Sequence, residues 1–407
     1  MQRLKVFLDH YGRTQCIGEL ALSSRKIYFE YDKAFLEQGL SLSPYKLPLQ
    51  KGLIACEDPV FEGLFGLFAD SLPDGWGKLL IDRQLHKEGH LSGSLSPLDR
   101  LAFVGHYGMG ALRYEPCDKS VVHSHEDINL DSLSHFSQEI LKGEAQEMVQ
   151  TLLSLNGSSA GARPKAMIQM NDDQTHILHG AAPLEKGYTH WMVKFASSMD
   201  AKESGAIEYA YSLMAKRAGL QMPSTTLLKG EDGNYFACER FDRQKDERIH
   251  VHTLAGLIHE DFRFPTLDYD TVLTLTYHLT KNIQELERAF RLACFNVLSH
   301  NRDDHAKNIS YCMNQLGEWK LSPAYDLTFS SGPGGEQSTT VLGEGKHPSI
   351  KHLLSLAHKH HIKEGSQIIN EVREAISQWN TFAKLAHLSS KTTNALSKHL
   401  KTLERLS

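Results

Sequence analysis

Residues 301–308 read Asn301-Arg302-Asp303-Asp304-His305-Ala306-Lys307-Asn308 and follow an apolar helical stretch, 283–298, whose stripe runs through Leu286, Phe290, Ala293 and Val297. An acid, Asp303, therefore stands five residues before an amide, Asn308, on a loop that leaves a buried helix. Phosphoryl-transfer sites use this arrangement: the carboxylate accepts the proton of the attacking hydroxyl and the amide oxygen ligates magnesium. Asp and Asn also favour loops for turn reasons, so a solvated turn is the competing reading. Further along, Leu321-Ser322-Pro323-Ala324-Tyr325-Asp326-Leu327 ends an apolar strand with a single acid. Magnesium takes hard oxygen ligands and few from protein, which makes Asn308 and Asp326 a candidate metal pair. The plainer reading of Asp326 is a cap on the next turn.

Working outward, Asn156-Gly157-Ser158-Ser159-Ala160-Gly161-Ala162-Arg163-Pro164-Lys165 is a run of small residues between a helix and a strand. Small side chains let backbone N–H groups approach phosphate oxygens, with Arg163 or Lys165 as counter-charge. The run matches neither GxxxxGK[ST] nor GxGxxG, and on spacing alone an ordinary helix-to-strand turn accounts for it. Lys194 interrupts the apolar strand Trp191-Met192-Val193-Lys194-Phe195, where kinases pair an ammonium with nucleotide phosphates and a helix Glu; Glu208, on the helix 204–219, is the candidate partner. An edge lysine facing solvent is the alternative.

The 407 residues carry 44 Lys or Arg against 49 Asp or Glu, so there is no global basic field to draw the chain to nucleic acid or an anionic membrane. Charge is segregated: residues 350–407 hold nine Lys or Arg against four Asp or Glu. This basic end is expected to form two or three helices. No apolar run is long enough to span a bilayer, the N-terminus lacks a secretory pattern, and the six cysteines are scattered without a CxxC pair. The histidines lack an HExxH spacing. A cytoplasmic address is expected. LKVFL, CIGELAL and KIYFEY near the N-terminus read as short strands, followed by a helix in FADSLPDGWGKLLIDRQL entered through a Pro-Asp-Gly break. The polar stretch 115–131 is the best linker, and the Gly- and Ser-rich segment 329–349 is expected as a mobile loop.

GSSAGARPKA, HWMVKF, ACERFDR, NRDDHAKN and SPAYDL occur in this order and at spacings that resemble the HipA family of bacterial serine/threonine kinases, the toxins of type II toxin–antitoxin systems. FADSLPDGWGKLL and RLAFVGHYGMGALRYEP are similar to that family's N-terminal subdomain. The resemblance implies an α+β chain: a small N-terminal α/β subdomain at 1–115, then a protein-kinase-like (phosphoinositide-kinase-like) core. That core would comprise an N-lobe at 132–245 and an all-helical C-lobe at 246–407. It implies Asp303 as catalytic base, Asn308 and Asp326 as magnesium ligands, and Lys194 on the ATP phosphates. Ala160, Gly161, Ala162, Arg163, Pro164 and Lys165 would form the phosphate loop, Glu239, Arg240 and Phe241 the adenine hinge, with His305, Ala306, Lys307 and Tyr325 bordering the nucleotide. Ser158 falls where the family's autophosphorylated serine falls, and Ser159 is the alternative. Arg163-Pro164 and Asp304 depart from the family pattern; an added carboxylate at Asp304 would either raise the pKa of Asp303 or add a metal ligand.

The function so implied is an ATP- and Mg2+-dependent serine/threonine protein kinase that phosphorylates an aminoacyl-tRNA synthetase or similar translation factor. It would arrest growth, support persistence and silence itself by autophosphorylation. A HipB-like helix-turn-helix antitoxin would be the partner, with operator DNA met through that complex or through the basic C-terminal block, and no membrane. Two other readings stay open: a corepressor with little kinase activity, and a small-molecule phosphotransferase.

Overall fold

A computed structural model describes residues 2–87, 89, 95–117, 127–143, 149–156, 161, 163–197, 203–231, 233–264 and 266–405. Alternating apolar and polar residues at the N-terminus form β1 (Gln2–His10), β2 (Arg13–Ser23) and β3 (Lys26–Tyr31), and β1 buries Leu4, Val6 and Leu8 on one face. Together with β4 (Leu53–Ala55) and β5 (Leu112–Glu115) they make an antiparallel sheet ordered β4-β3-β2-β1-β5. Helices α1 (Lys33–Gln38), α2 (Gly66–Ala69), α3 (Gly75–Lys87) and α4 (Pro97–Val104) accompany it. Phe35, Phe68 and Leu101 from three of these helices close one core with the strands. The break at Pro73-Asp74-Gly75 separates α2 from α3, as proline at the start of a turn favours.

A second antiparallel sheet follows α5 (Leu130–Lys142) and α6 (Val149–Asn156). Its strands are β6 (Lys165–Asn171), β7 (Ile177–His179), β8 (Tyr188–Lys194), β9 (Thr225–Lys229) and β10 (Asn234–Glu239), ordered β7-β6-β8-β10-β9. Leu133, Ile140, Leu152 and Leu155 of the two helices pack on Ala166, Ile168 and Val193, and α3 adds Trp76 and Leu80 to that core. Between β8 and β9 runs α7 (Ser204–Arg217), which buries Tyr211, Met214 and Glu208. Register places Lys194 of β8 opposite Lys165 of β6.

The rest of the chain is mainly helical. Its elements are β11 (Arg243–Gln244), β12 (Glu247–Arg248), β13 (His250–Thr253), α8 (Leu254–Ile258), β14 (Leu267–Asp268), α9 (Tyr269–Thr280), α10 (Ile283–Leu298), β15 (Ser310–Met313), β16 (Trp319–Leu321), β17 (Thr339–Thr340), α11 (Ile350–Lys359), α12 (Gly365–Ser377), α13 (Trp379–Leu385) and α14 (Ser390–Arg405). Helix α10 begins at Asn282, whose side chain accepts from Gln284 N at 2.9 Å, and buries the stripe Leu286, Phe290, Ala293 and Val297. It ends at Leu298, and two residues on, His300 with φ of +61° turns the chain into the loop at 301.

Three expectations need correction here. Although expected as all-helical, the C-terminal lobe also contains the sheet β13-β15-β16 and the parallel pair β14-β17, whose strands of two to four residues are too short to show a period of two. The basic end forms four helices rather than two or three. Segment 329–349 is not a free loop: Gln337, Ser338 and Thr339 are buried, and β17 pairs with β14.

Contact between the N-terminal sheet unit and the helical lobe is close. A Cβ on Gly66 of α2 would lie 1.9 Å from the carbonyl oxygen of Gly256 in α8, so only glycine lets these backbones meet. Asp70 locks the junction by accepting from His252 Nδ1 (2.6 Å), Thr253 N (2.7 Å) and Thr253 Oγ1 (2.6 Å). Asp70→Ala leaves those groups without their acceptor and should cost about 2–4 kcal/mol in urea unfolding; a loss below about 0.5 kcal/mol would show the junction is not held this way.

Candidate active site

Lys194 ends β8 with its ammonium between Glu208 Oε1 (2.6 Å) and Asp326 Oδ1 (2.5 Å). The side chains of Lys194 and Glu208 are 8% and 3% exposed, that of Asp326 38%, so the cation is paired where water cannot serve it. Burial alone would push Lys194 down, yet Asp326 and Glu208 hold its pKa above the ordinary value. Burial likewise opposes ionisation of Asp326, but Lys194, joined by Lys165 and Arg163, keeps it well below the usual carboxylate range. Asp326 also has φ of +56°, a left-handed conformation uncommon outside glycine that recurs at functional sites.

Above this ion cluster lies the described part of the small-residue loop. Gly161 has φ of +103°, and a Cβ there would fall 2.5 Å from Lys165 Nζ, so the loop depends on glycine to pass the lysine. Lys165 is buried, and burial together with the neighbouring Lys194 lowers its pKa to about 8. Pro164 O accepts from Phe195 N at 2.9 Å and ties the loop's exit to β8. Ser158, Ser159, Ala160 and Ala162 lie outside the described residues.

The loop after α10 supplies the opposite wall. Asn308 Nδ2 donates to the backbone carbonyl of Asp303 at 2.8 Å, which commits the amide nitrogen and leaves its oxygen for other partners. Tyr325 OH donates to Lys307 O at 2.6 Å and is bonded to Ser310 Oγ, linking the residue before Asp326 to the residue before Asn308. Asp303 is 59% exposed at its side chain, 4.0 Å from His305 Nε2; partial desolvation and the charge of Asp326 push its pKa up while His305 opposes. Ala306 is buried in the turn 306–308, and Lys307 Nζ sits 4.4 Å from the Phe262 ring centroid and 2.7 Å from Asp74 Oδ2.

At the far edge, Glu239 closes β10 and its N–H donates to Ser224 O at 2.9 Å. Phe241 packs against Tyr325 with ring centroids 5.6 Å apart. Arg240 does not aim its side chain at this cleft: its guanidinium holds Asp242 at 2.9 and 2.8 Å. Sequence reading missed Asp74 and Phe262. The Pro-Asp-Gly break marks Asp74 only as a helix boundary, and nothing local to either residue signals its distant partner.

The Asp304 carboxylate points away from this cleft. It is 1% exposed and turned inward, accepting from Tyr269 OH (2.6 Å), Gln337 Nε2 (2.9 Å) and Thr339 N (3.1 Å). It is thus the anchor of segment 337–339 beneath the loop that carries Asp303.

Residues 4–115 match the HipA N-terminal domain and residues 157–379 the HipA-like C-terminal domain. The chain belongs to the HipA family. A chain of the solved Shewanella oneidensis MR-1 complex of HipA, HipB and operator DNA superposes with a TM-score of 0.69 at 16% identity, over 99% of this chain and 96% of that one. The overall architecture, including the kinase-like core, is therefore the HipA fold. A Sinorhizobium fredii protein provisionally named kinase Y4dM is 24% identical over 278 residues, 62% of this chain and 66% of that relative's length. CtkA, a proinflammatory kinase of Helicobacter pylori, overlaps with a TM-score of 0.34 at 13% identity, over 54% of this chain and 91% of that one. Among the described residues no helix is long and apolar enough to cross a membrane.

Burial pushes the Asp304 carboxyl up to about 6 from an ordinary 3.8. Between those values the folded chain keeps a proton that the unfolded chain releases, so this group's contribution is fully present below about pH 4 and is lost, by about 2–3 kcal/mol, as pH rises through 6. Urea unfolding of wild type against Asp304→Asn across that range should show the difference; parallel pH profiles would contradict it.

Proposed function

We propose that this HipA-family chain is an ATP-dependent kinase whose acceptor is a serine or threonine hydroxyl on another protein. The observation that carries the reading is Lys194 held between Glu208 on the adjacent helix and Asp326 on the opposite wall, with Asp303 near enough to feel the charges of both Asp326 and Lys194. Lys194 and Lys165 would grip the phosphates, with Gly161 lending backbone N–H, while Asp303 takes the proton from the acceptor hydroxyl. The raised pKa of Asp303 suits a base working nearer neutrality. Magnesium fits the donor set, because the amide oxygen of Asn308 and the carboxylate of Asp326 are hard oxygen ligands. It would supply charge neutralisation at the phosphates. Glu239 and Phe241 would border the adenine, with Arg240 contributing through its backbone and Ala306, His305 and Tyr325 lining the pocket.

In this reading the division into an N-terminal subdomain (1–115), an N-lobe (132–245) and a C-lobe (246–407) separates the parts that hold the nucleotide from those that hold base and metal. Phosphate on Ser158, or on Ser159, would place about two negative charges in the phosphate loop and repel ATP. An aminoacyl-tRNA synthetase is the substrate class that the family resemblance favours.

A HipB-like helix-turn-helix antitoxin is the proposed partner, supported by likeness to HipA from the Shewanella complex with HipB and operator DNA. Helix α14 exposes Lys391, Lys398 and Lys401, a second route by which operator DNA would be approached.

Incubation with labelled ATP, Mg2+ and a bacterial lysate tests the reading. Wild type should transfer label to a protein and to Ser158 or Ser159, and Asp326→Ala and Asp303→Asn should each lose at least about 100-fold in rate. Label that reaches only small metabolites, or transfer undiminished in either variant, would overturn it.

A further inference from the structure

Asp74 belongs to the N-terminal unit yet reaches both walls of the cleft. One carboxylate oxygen accepts from the backbone N–H of Gly161 in the phosphate loop, and the other holds Lys307 Nζ at 2.7 Å on the loop that carries Asp303. Trp76 N, two residues on, donates to Gly161 O at 3.2 Å, so Gly161 is gripped at both its N–H and its carbonyl. Phe262 lies under the Lys307 ammonium at 4.4 Å and limits where it can go.

The position of Asp74 sharpens the point. It stands immediately before α3, and its carbonyl accepts from Gly77 N (2.9 Å) and Lys78 N (3.4 Å) as the first turn of a helix requires. An aspartate there commonly turns its carboxylate back to cap its own helix. Here both oxygens are turned outward to residues 87 and 233 positions away. The chain spends a cap-capable side chain on a tie between two loops, where a charge-assisted bond orders both ends at once.

We propose that Asp74 is a positioning residue for nucleotide binding: it fixes Gly161 and Lys307 at the spacing the ATP phosphates need, and so makes the N-terminal unit part of the active site. This rests on the kinase reading above. Asp74 touches neither reacting atom; it acts through the N–H of Gly161 and the ammonium of Lys307. A tie that preorganises a binding loop strengthens binding chiefly by cutting the cost of ordering the loop on arrival of the ligand. Its loss is therefore expected in nucleotide affinity and KM rather than in kcat.

Titration calorimetry of the full-length protein with AMP-PNP and Mg2+, alongside steady-state kinetics and melting curves, tests this. Asp74→Asn, which keeps shape and removes charge, should weaken AMP-PNP binding about tenfold or more and raise the KM for ATP in parallel, with kcat within about threefold. Asp74→Ala should do the same or worse, and Asp74→Glu should recover part of the affinity. Asp70→Asn serves as the comparison, since Asp70 ties the N-terminal unit to β13 away from the phosphates: it should lower the melting temperature and leave the AMP-PNP Kd unchanged. Folded Asp74→Asn that binds like wild type would overturn the positioning role and leave the kinase reading standing. Tighter binding by Asp74→Asn would also overturn it, because the carboxylate would then be competing with phosphate for Lys307 and Gly161. Wild type that binds no AMP-PNP would overturn the kinase reading itself.

Discussion

An ammonium shut between two carboxylates holds this protein's parts in register. Lys194 pays its desolvation only because Glu208 comes from α7 and Asp326 from the far wall, each within 2.6 Å. Removing either partner would leave a buried charge under-compensated, so the sheet, the helix above it and the segment ending at Asp326 must meet at that point. Lys165, opposite Lys194 across the strand pair, adds a second cation beside this cluster, and the backbone at Asp326 is left-handed.

Features carried by local pattern were legible. The stripe through Leu286, Phe290, Ala293 and Val297 marks α10 because a 3.6-residue period needs no partner to be seen. The same holds for the strands flanking Lys194 and for the loop between Asp303 and Asn308. What stayed hidden was every decision made by tertiary contact. Segment 329–349 looks like a loop by composition, yet Gln337 and Thr339 are drawn inward by Asp304, a residue whose own burial no neighbouring residue announces. Two-residue strands such as β14 and β17 exist only as each other's partners. The role expected of Arg240 illustrates the limit: a motif position names a residue, but Arg240 turns its side chain to Asp242.

The N-terminal unit is joined to the rest by charge and close packing together. Asp242 accepts from Gly110 N at 2.7 Å, and Arg243 donates to Gly108 O and Gly110 O at 2.9 and 3.0 Å, so the turn after β10 grips the loop before β5. Burial opposes the Asp242 charge, but Arg240 and Arg243 hold its pKa far below the usual range. With Asp70 on β13 and Gly66 against Gly256, the unit meets the core at several separate places. A unit attached this firmly can transmit a change at its outer face to the cleft, which a flexibly tethered one could not.

The central claim is that one cleft brings Asn308 and Asp326 to a single divalent ion beside the nucleotide tail gripped by Lys194. A crystal structure with AMP-PNP and Mn2+, phased on the manganese anomalous signal, tests it most directly. The account predicts a manganese peak ligated by the amide oxygen of Asn308 and a carboxylate oxygen of Asp326, with Lys194 on a phosphate oxygen. A peak held by other residues, or nucleotide bound away from Lys194, would contradict it.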